Sequence, residues 1–150
     1  TLQFNFEPGK RKFYASVNNV LSKVGTGKPD VVLSLCNSFA VPCLLYGSEA
    51  MLLNKSQRRI LDNPLKRLFV KLFNITDNQS IAYCQYYMNC LPLYYRIMAR
   101  TCKFLESCEQ SSFDLLNILY ALIVQRKPDI MSDSHSLWSK FLKDNNIIIS

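Results

Sequence analysis

From Lys10 onward, apolar residues recur at helical spacing rather than in alternation. Before that point Leu2, Phe4 and Phe6 alternate with polar residues, which predicts a short strand or extended arm ended by Pro8-Gly9. Phe13, Val17, Leu21 and Val24 then form one helical stripe, closed by Gly25 and Gly27. Pro29 and Asp30 open a second helix with Val31, Val32, Leu35 and Phe39 facing inward. Pro42 lies inside this apolar stretch and must kink or end it, because it has no N–H and crowds the preceding turn. Leu44 to Tyr46 carry the apolar character on to Gly47.

The most regular segment runs from about Lys55 to Phe73, where Leu61, Leu65, Leu68, Phe69 and Leu72 share a face. Pro64 either kinks this helix or, after Asn63, starts a second one. A shorter helix is predicted around Asn78–Asn89, with a break at Leu91-Pro92. Leu93, Ile97, Thr101, Phe104 and Cys108 make the next stripe, through about Glu109. Ser111 or Ser112 caps the helix after it, with Asp114 in its first turn and Arg126 and Lys127 in its last. Phe113 to Val124 is apolar almost all round, which predicts a centrally buried helix. Pro128 stops it. A last helix, capped near Asp133 or Ser134, presents Leu137, Trp138, Phe141 and Leu142, and Ile147–Ile149 forms an apolar tail.

About seven helices and at most one strand predict an all-α fold, an irregular bundle with a short extended N-terminal arm. The expected organisation is an arm over 1–9, a basic helical segment over 10–76 and a neutral helical segment over 77–150. The last two could also be one continuous domain.

Charge divides along the same line. The 150 residues carry a net +7, and residues 1–76 hold eleven basic groups against four acidic ones. Residues 77–150 hold seven of each. An anionic partner is therefore to be sought in the first half. The longest apolar run, Leu115–Val124, is shorter than the about 18 residues that a membrane span needs, so no membrane partner is expected. No secretory signal pattern opens the chain, and Thr1 in place of a methionine points to processing or truncation.

Catalytic patterns are sparse. The single histidine, His135, sits beside Asp133 and Ser134, where such residues act more often as helix caps than as a triad. Gly25-Thr26-Gly27-Lys28 lacks the length and the following Ser or Thr of a phosphate-binding loop and is expected to be a helix-ending turn. No clustered carboxylates of the kind that hold catalytic metals are present. Six cysteines, without a secretory context, are expected to be reduced core thiols. Cys84, Cys90, Cys102 and Cys108 are spaced wrongly for zinc, because residues six apart on a helix face different ways.

The positive signal is basic. Lys10, Arg11 and Lys12 open one helix, and Lys55, Arg58, Arg59, Lys66, Arg67 and Lys71 run along another. Such helices suit contact with a phosphate backbone, although basic residues also simply solvate an exposed face. Tyrosines 83, 86, 87, 94 and 95 could stack on bases, but their spacing suits helix packing better.

The stretches KRKFYASVNNVLSKVG, VVLSLCNSFAVPCLLYGSEAMLLNKSQRRILDNPLKRLFVKLFNI and CQYYMNCLP give these cations a context. From about Lys10 to Pro92 the chain resembles the region after the polymerase palm in non-LTR (LINE-type) retrotransposon reverse transcriptases, and more weakly as far as Trp138. The most specific parts are Lys12-Phe13 with Asn18, the Leu-Leu-Tyr-Gly-Ser-Glu run at 44–49, and the basic helix ending in Lys71-Leu72-Phe73. The resemblance implies a thumb and post-palm segment that grips an RNA–DNA template–primer while a palm domain of the same polyprotein performs synthesis. By that implication Lys10, Arg11, Lys12, Lys55, Arg58, Arg59, Lys66, Arg67 and Lys71 are candidate backbone contacts. The implied location is intracellular, in nucleus or cytoplasm.

The family's aromatic-Ala-Asp-Asp motif, its endonuclease carboxylates and its Cys-Cys-His-Cys knuckle do not occur in these 150 residues. Mg2+ is implied only for the full-length family enzyme, no cofactor is expected in this chain, and the chain alone is expected to be inactive. The Leu2-Phe4-Phe6 arm then reads as a remnant of a palm sheet in a fragment of a longer frame. The alternative is a helical module that docks a protein partner through its apolar C-terminal helices.

Overall fold

In the computed structural model, which describes residues 5–51, 53–126 and 137–148, the first helix, α1, spans Glu7–Val24. It starts three residues before the expected Lys10. Pro8 sits in its first turn, where a missing N–H costs nothing, and Asn5 Oδ1 accepts the Glu7 amide at 3.0 Å. Phe6 is already helical (φ −87°, ψ −6°), so the arm expected over 1–9 gives way to helix at its C-terminal end. Leu2 and Phe4 lie outside the described residues. Gly25 ends α1 at φ +74° and its amide bonds back to the Leu21 carbonyl, which makes Gly25-Thr26-Gly27-Lys28 a terminating turn.

Two proline questions left open by the pattern are resolved in opposite ways. Pro42 ends one helix and begins another: α2 covers Pro29–Phe39, Ala40 caps it, and α3 covers Val41–Leu45 with Pro42 in its first turn. Pro64, by contrast, lies within a continuous α4, Lys55–Phe73, and is buried there. That helix is started by a reciprocal capping box: Asn54 Oδ1 accepts the Gln57 amide at 2.8 Å and Gln57 Oε1 accepts the Asn54 amide at 2.9 Å. Helices α5 (Asn78–Tyr87), α6 (Leu93–Glu109), α7 (Asp114–Arg126) and α8 (Leu137–Asp144) follow, with one 3₁₀ turn at Ser48–Ala50. The fold is all-α, and no strand occurs among the described residues.

Asparagine closes several of these helices where glycine is scarce. Asn74, Asn89 and Asn146 all take the left-handed conformation, with φ near +50°. After α5 the Cys90 amide reaches back to the Gln85 carbonyl, and after α8 the Ile147 amide reaches the Leu142 carbonyl. Each is the long bond of a Schellman closure and turns an apolar residue, Cys90 or Ile147, into the interior. The tail residue Ile147 is therefore a buried helix stop, while Ile148 is exposed.

The chain divides into two compact units, one made of Thr1–Tyr46 with Leu53–Tyr94, the other of Gly47–Leu52 with Tyr95–Ser150. In the first, α1 packs on α2, α3 and α4, and α4 on α5. The approach of α1 to α3 is close enough that a Cβ at Gly9 would stand 3.0 Å from the Cys43 carbonyl oxygen. Phe13, Val17, Val32, Leu61, Leu65, Leu68 and Phe69 form the core, as the stripes predict. On α2 the inward face is rotated: Leu33, Cys36 and Ala40 are buried, whereas Val31 and Phe39, both expected inside, are exposed. The segment Pro29–Ala50 is long and apolar enough to cross a membrane by length and composition alone. Here the chain turns at Ala40 and again at Gly47, and α2 and α3 bury one side against α1 as core helices do.

The second unit is held by α6, which buries Ile97, Met98, Thr101, Cys102, Leu105 and Cys108. Phe141 of α8 meets Tyr95 edge-to-face at 5.7 Å and Trp138 at 5.5 Å, and the Tyr95 hydroxyl donates to Asp144 Oδ2 at 2.7 Å. Helix α7 departs from expectation. Its inward side offers buried Ile123 and half-buried Leu116, Tyr120 and Val124, but Leu115, Ile118, Leu119 and Leu122 are exposed, as is Phe113 before it. A composition apolar all round had predicted central burial, and only one side of the helix is covered.

Candidate nucleic-acid interface

The nine candidate cations lie on α1 and α4, which pack against each other within the first unit. On α4 the buried arc of Leu61, Pro64, Leu65, Leu68 and Phe69 fixes the rotation of the helix, so the polar arc faces solvent. Lys55, Arg59, Arg67 and Lys71 are exposed on it, and Arg11 and Lys12 are exposed on α1. None of these six is ion-paired to a carboxylate among the described residues.

The other three are engaged locally. Lys10 Nζ is 3.0 Å from Glu7 Oε1, one turn earlier on α1. Lys66 Nζ is 3.8 Å from Asp62 Oδ2. Arg58 is half-buried: its Nε donates to the Leu53 carbonyl at 3.1 Å, and its guanidinium lies 5.7 Å from the centre of the Tyr94 ring. Arg58 thus ties the entrance of α4 to the start of α6. The sequence pattern could not separate it from Arg59, because the distinction depends on which neighbour each one meets.

Of the tyrosines considered for stacking, Tyr95 is buried and bonded to Asp144, and Tyr83, Tyr86 and Tyr94 are half-buried. Only Tyr87 is freely exposed, with its ring edge-to-face on Tyr86. Two exposed aromatics in the first unit were not anticipated, Phe39 and Tyr46. Both sit at the ends of short helices, where periodicity carries little information.

The cysteines contribute no reactive site. Cys36, Cys90, Cys102 and Cys108 are buried, Cys43 and Cys84 half-buried, and all six are free thiols. Burial, with the nearby Cys90, pushes the Cys36 thiol up to about 11. The Asn37 amide meets Cys90 Sγ at 3.8 Å. No three His, Cys, Asp or Glu side chains converge among the described residues, so the donor set for a metal is not found there. His135, Asp133 and Ser134 lie outside the described residues.

Comparison of the chain with protein-family models, with curated proteins and with solved structures gives no match.

Proposed function

We propose that this chain is a non-catalytic segment of a non-LTR retrotransposon reverse transcriptase that grips template–primer nucleic acid by its backbone. The observation that carries the reading is the exposed, carboxylate-free arc of Lys55, Arg59, Arg67 and Lys71 on α4, backed by a buried arc that is apolar apart from Asp62. A rigid helix presenting unpaired cations neutralises phosphates without reading bases, which suits a duplex whose sequence changes at every step of synthesis. The sequence resemblance supplies the identity of that duplex as an RNA–DNA hybrid. It also supplies the remaining context: a palm domain in the same polyprotein, Mg2+ held there, and an intracellular location in nucleus or cytoplasm.

Titration of a hybrid duplex against salt tests this. Each phosphate contact contributes roughly 0.9 to the slope of log affinity on log salt, so Gln at Lys55, Arg59, Arg67 and Lys71 together should flatten it by about 3 to 4. An unchanged slope removes the phosphate role from α4.

A second reading, a module that docks a protein through its C-terminal helices, is favoured by one observation, the uncovered apolar side of α7.

A further inference from the structure

The exposed arc of α4 is not uniform across its width. At about 100° per residue, Lys55 and Arg59 fall on one edge, at about 0° and 40°, and Arg67 and Lys71 on the other, at about 120° and 160°. Between the edges, at about 80° and 100°, lie Asn63 and Ser56, both exposed, short, polar and uncharged. Asn63 stands opposite the buried pair Leu61 and Leu65, so of the residues of α4 it points most directly away from the core. Neither its amide nor the Ser56 hydroxyl has a hydrogen-bond partner among the described residues. Ile60, the one exposed apolar residue of α4, lies on the Arg67 edge.

We infer that α4 lies lengthwise in the wide, shallow groove of an A-form duplex and that Asn63 contacts the ribose hydroxyls there. The site then prefers a ribose-containing duplex to a DNA duplex. This rests on the phosphate-contact role of α4 and adds the groove and the residue that discriminates. Cations on both edges of one helix face the two phosphate walls of a groove. A helix laid on one strand would carry them along the middle of its face, where α4 has Asn63 and Ser56 instead. Long side chains at the edges and short ones between them fit a groove whose floor is shallow. The minor groove of B-form DNA, about 6 Å wide, does not admit a helix, and its deep major groove is read by long side chains such as Arg. On α4 the arginines stand at the edges. An amide and a hydroxyl each donate and accept, as the 2′-hydroxyl does, and that group lines the A-form groove whatever the base sequence.

Fluorescence anisotropy of the 150-residue chain with three duplexes of one sequence, an RNA–DNA hybrid, an RNA duplex and a DNA duplex, tests the inference. The first two should bind alike and the DNA duplex about fivefold more weakly, the worth of one net hydrogen bond. Asn63→Ala should erase that preference by weakening the two ribose-containing duplexes alone, with no change in salt slope because no charge is lost. Asn63 is exposed, so the variant should keep the helical circular dichroism of the parent. Asn63→Lys should instead steepen the salt slope by about 1, as a new phosphate contact does. Equal affinity for all three duplexes, or a preference that survives Asn63→Ala, overturns the ribose contact. An unchanged slope in Asn63→Lys places residue 63 outside the interface and overturns the groove. The joint Gln variant at Lys55, Arg59, Arg67 and Lys71 separates the two failures. If it flattens the slope while the preference is absent, the phosphate role stands and the ribose contact falls; if the slope is unchanged, both fall.

Discussion

The Asp62 carboxylate, on a residue only 4 % exposed, accepts the backbone amide of Leu93 at 2.8 Å. Leu93 is the first residue of α6, and its amide is one of those a helix start leaves without an intrahelical partner. The cap comes from α4, 31 residues away in sequence, rather than from a neighbouring Ser, Thr or Asn. This bond locks the start of α6 to the middle of α4, next to Pro64.

Removing the acceptor should therefore cost more than an ordinary surface change. Asp62→Ala leaves a buried N–H unsatisfied, and we expect a loss of about 1–3 kcal/mol in chemical denaturation. Asp62→Asn keeps an oxygen in place and should lose less than half of that. Equal losses for the two variants would show that charge, not the bond to Leu93, is what matters.

Arg58 and Arg59 are adjacent and chemically identical, yet the structure assigns them different work. Arg58→Gln removes the bond to the Leu53 carbonyl and the contact with Tyr94, and should cost about 1 kcal/mol of stability. Arg59→Gln should leave stability within about 0.5 kcal/mol and reduce only the salt slope of duplex binding. Reversed behaviour in the denaturation and binding assays would refute the assignment.

Thiol accessibility should follow burial. With a disulfide reagent at mild alkaline pH, Cys43 should label first and Cys84 more slowly, because burial and the neighbouring Asp77 raise the Cys84 thiol. Cys36, Cys90, Cys102 and Cys108 should label only as the chain unfolds. Rapid native labelling of Cys36, read by mass spectrometry, would contradict its position in the core.

The Arg100 guanidinium forks onto Glu49, with Nη2 to Oε1 at 3.0 Å and Nε to Oε2 at 3.3 Å, and holds that carboxyl below its ordinary 4.5. A depressed carboxylate stabilises the fold fully above its unfolded pKa and ceases to do so as the pH falls through the lower folded value. The stability difference between the parent chain and Glu49→Gln should thus be present at pH 7 and fade below about pH 4.5. Both side chains are partly exposed, so the difference stays under about 1 kcal/mol and shrinks with salt. A difference that grows on acidification would show that the fork is not what sets it.

Much of this fold can be read from local pattern. The stripe of Leu61, Leu65, Leu68 and Phe69 placed α4, its core face and its basic solvent face together, because 3.6-residue periodicity is a property of the helix itself. The Asn54–Gln57 capping box and the Gly25 stop are likewise local. The two prolines were not legible: Pro42 and Pro64 forbid the same hydrogen bond, and the surrounding packing determines whether a helix breaks or continues. The nine cations were visible as a set, but their sorting into six exposed and three engaged groups required Glu7, Leu53, Tyr94 and Asp62 to be placed in space.

By itself the sequence determined the all-α class, the two helices on which the candidate cations sit and the apolar faces that turn those cations outward. Only the tertiary structure decided which apolar residues are covered. On α7 leucine and isoleucine occur on both sides, so hydrophobicity alone has no preferred direction. Burial of Ile123 rather than Leu119 reflects the number of neighbours available to one short helix, a property of the assembled chain that no local window contains.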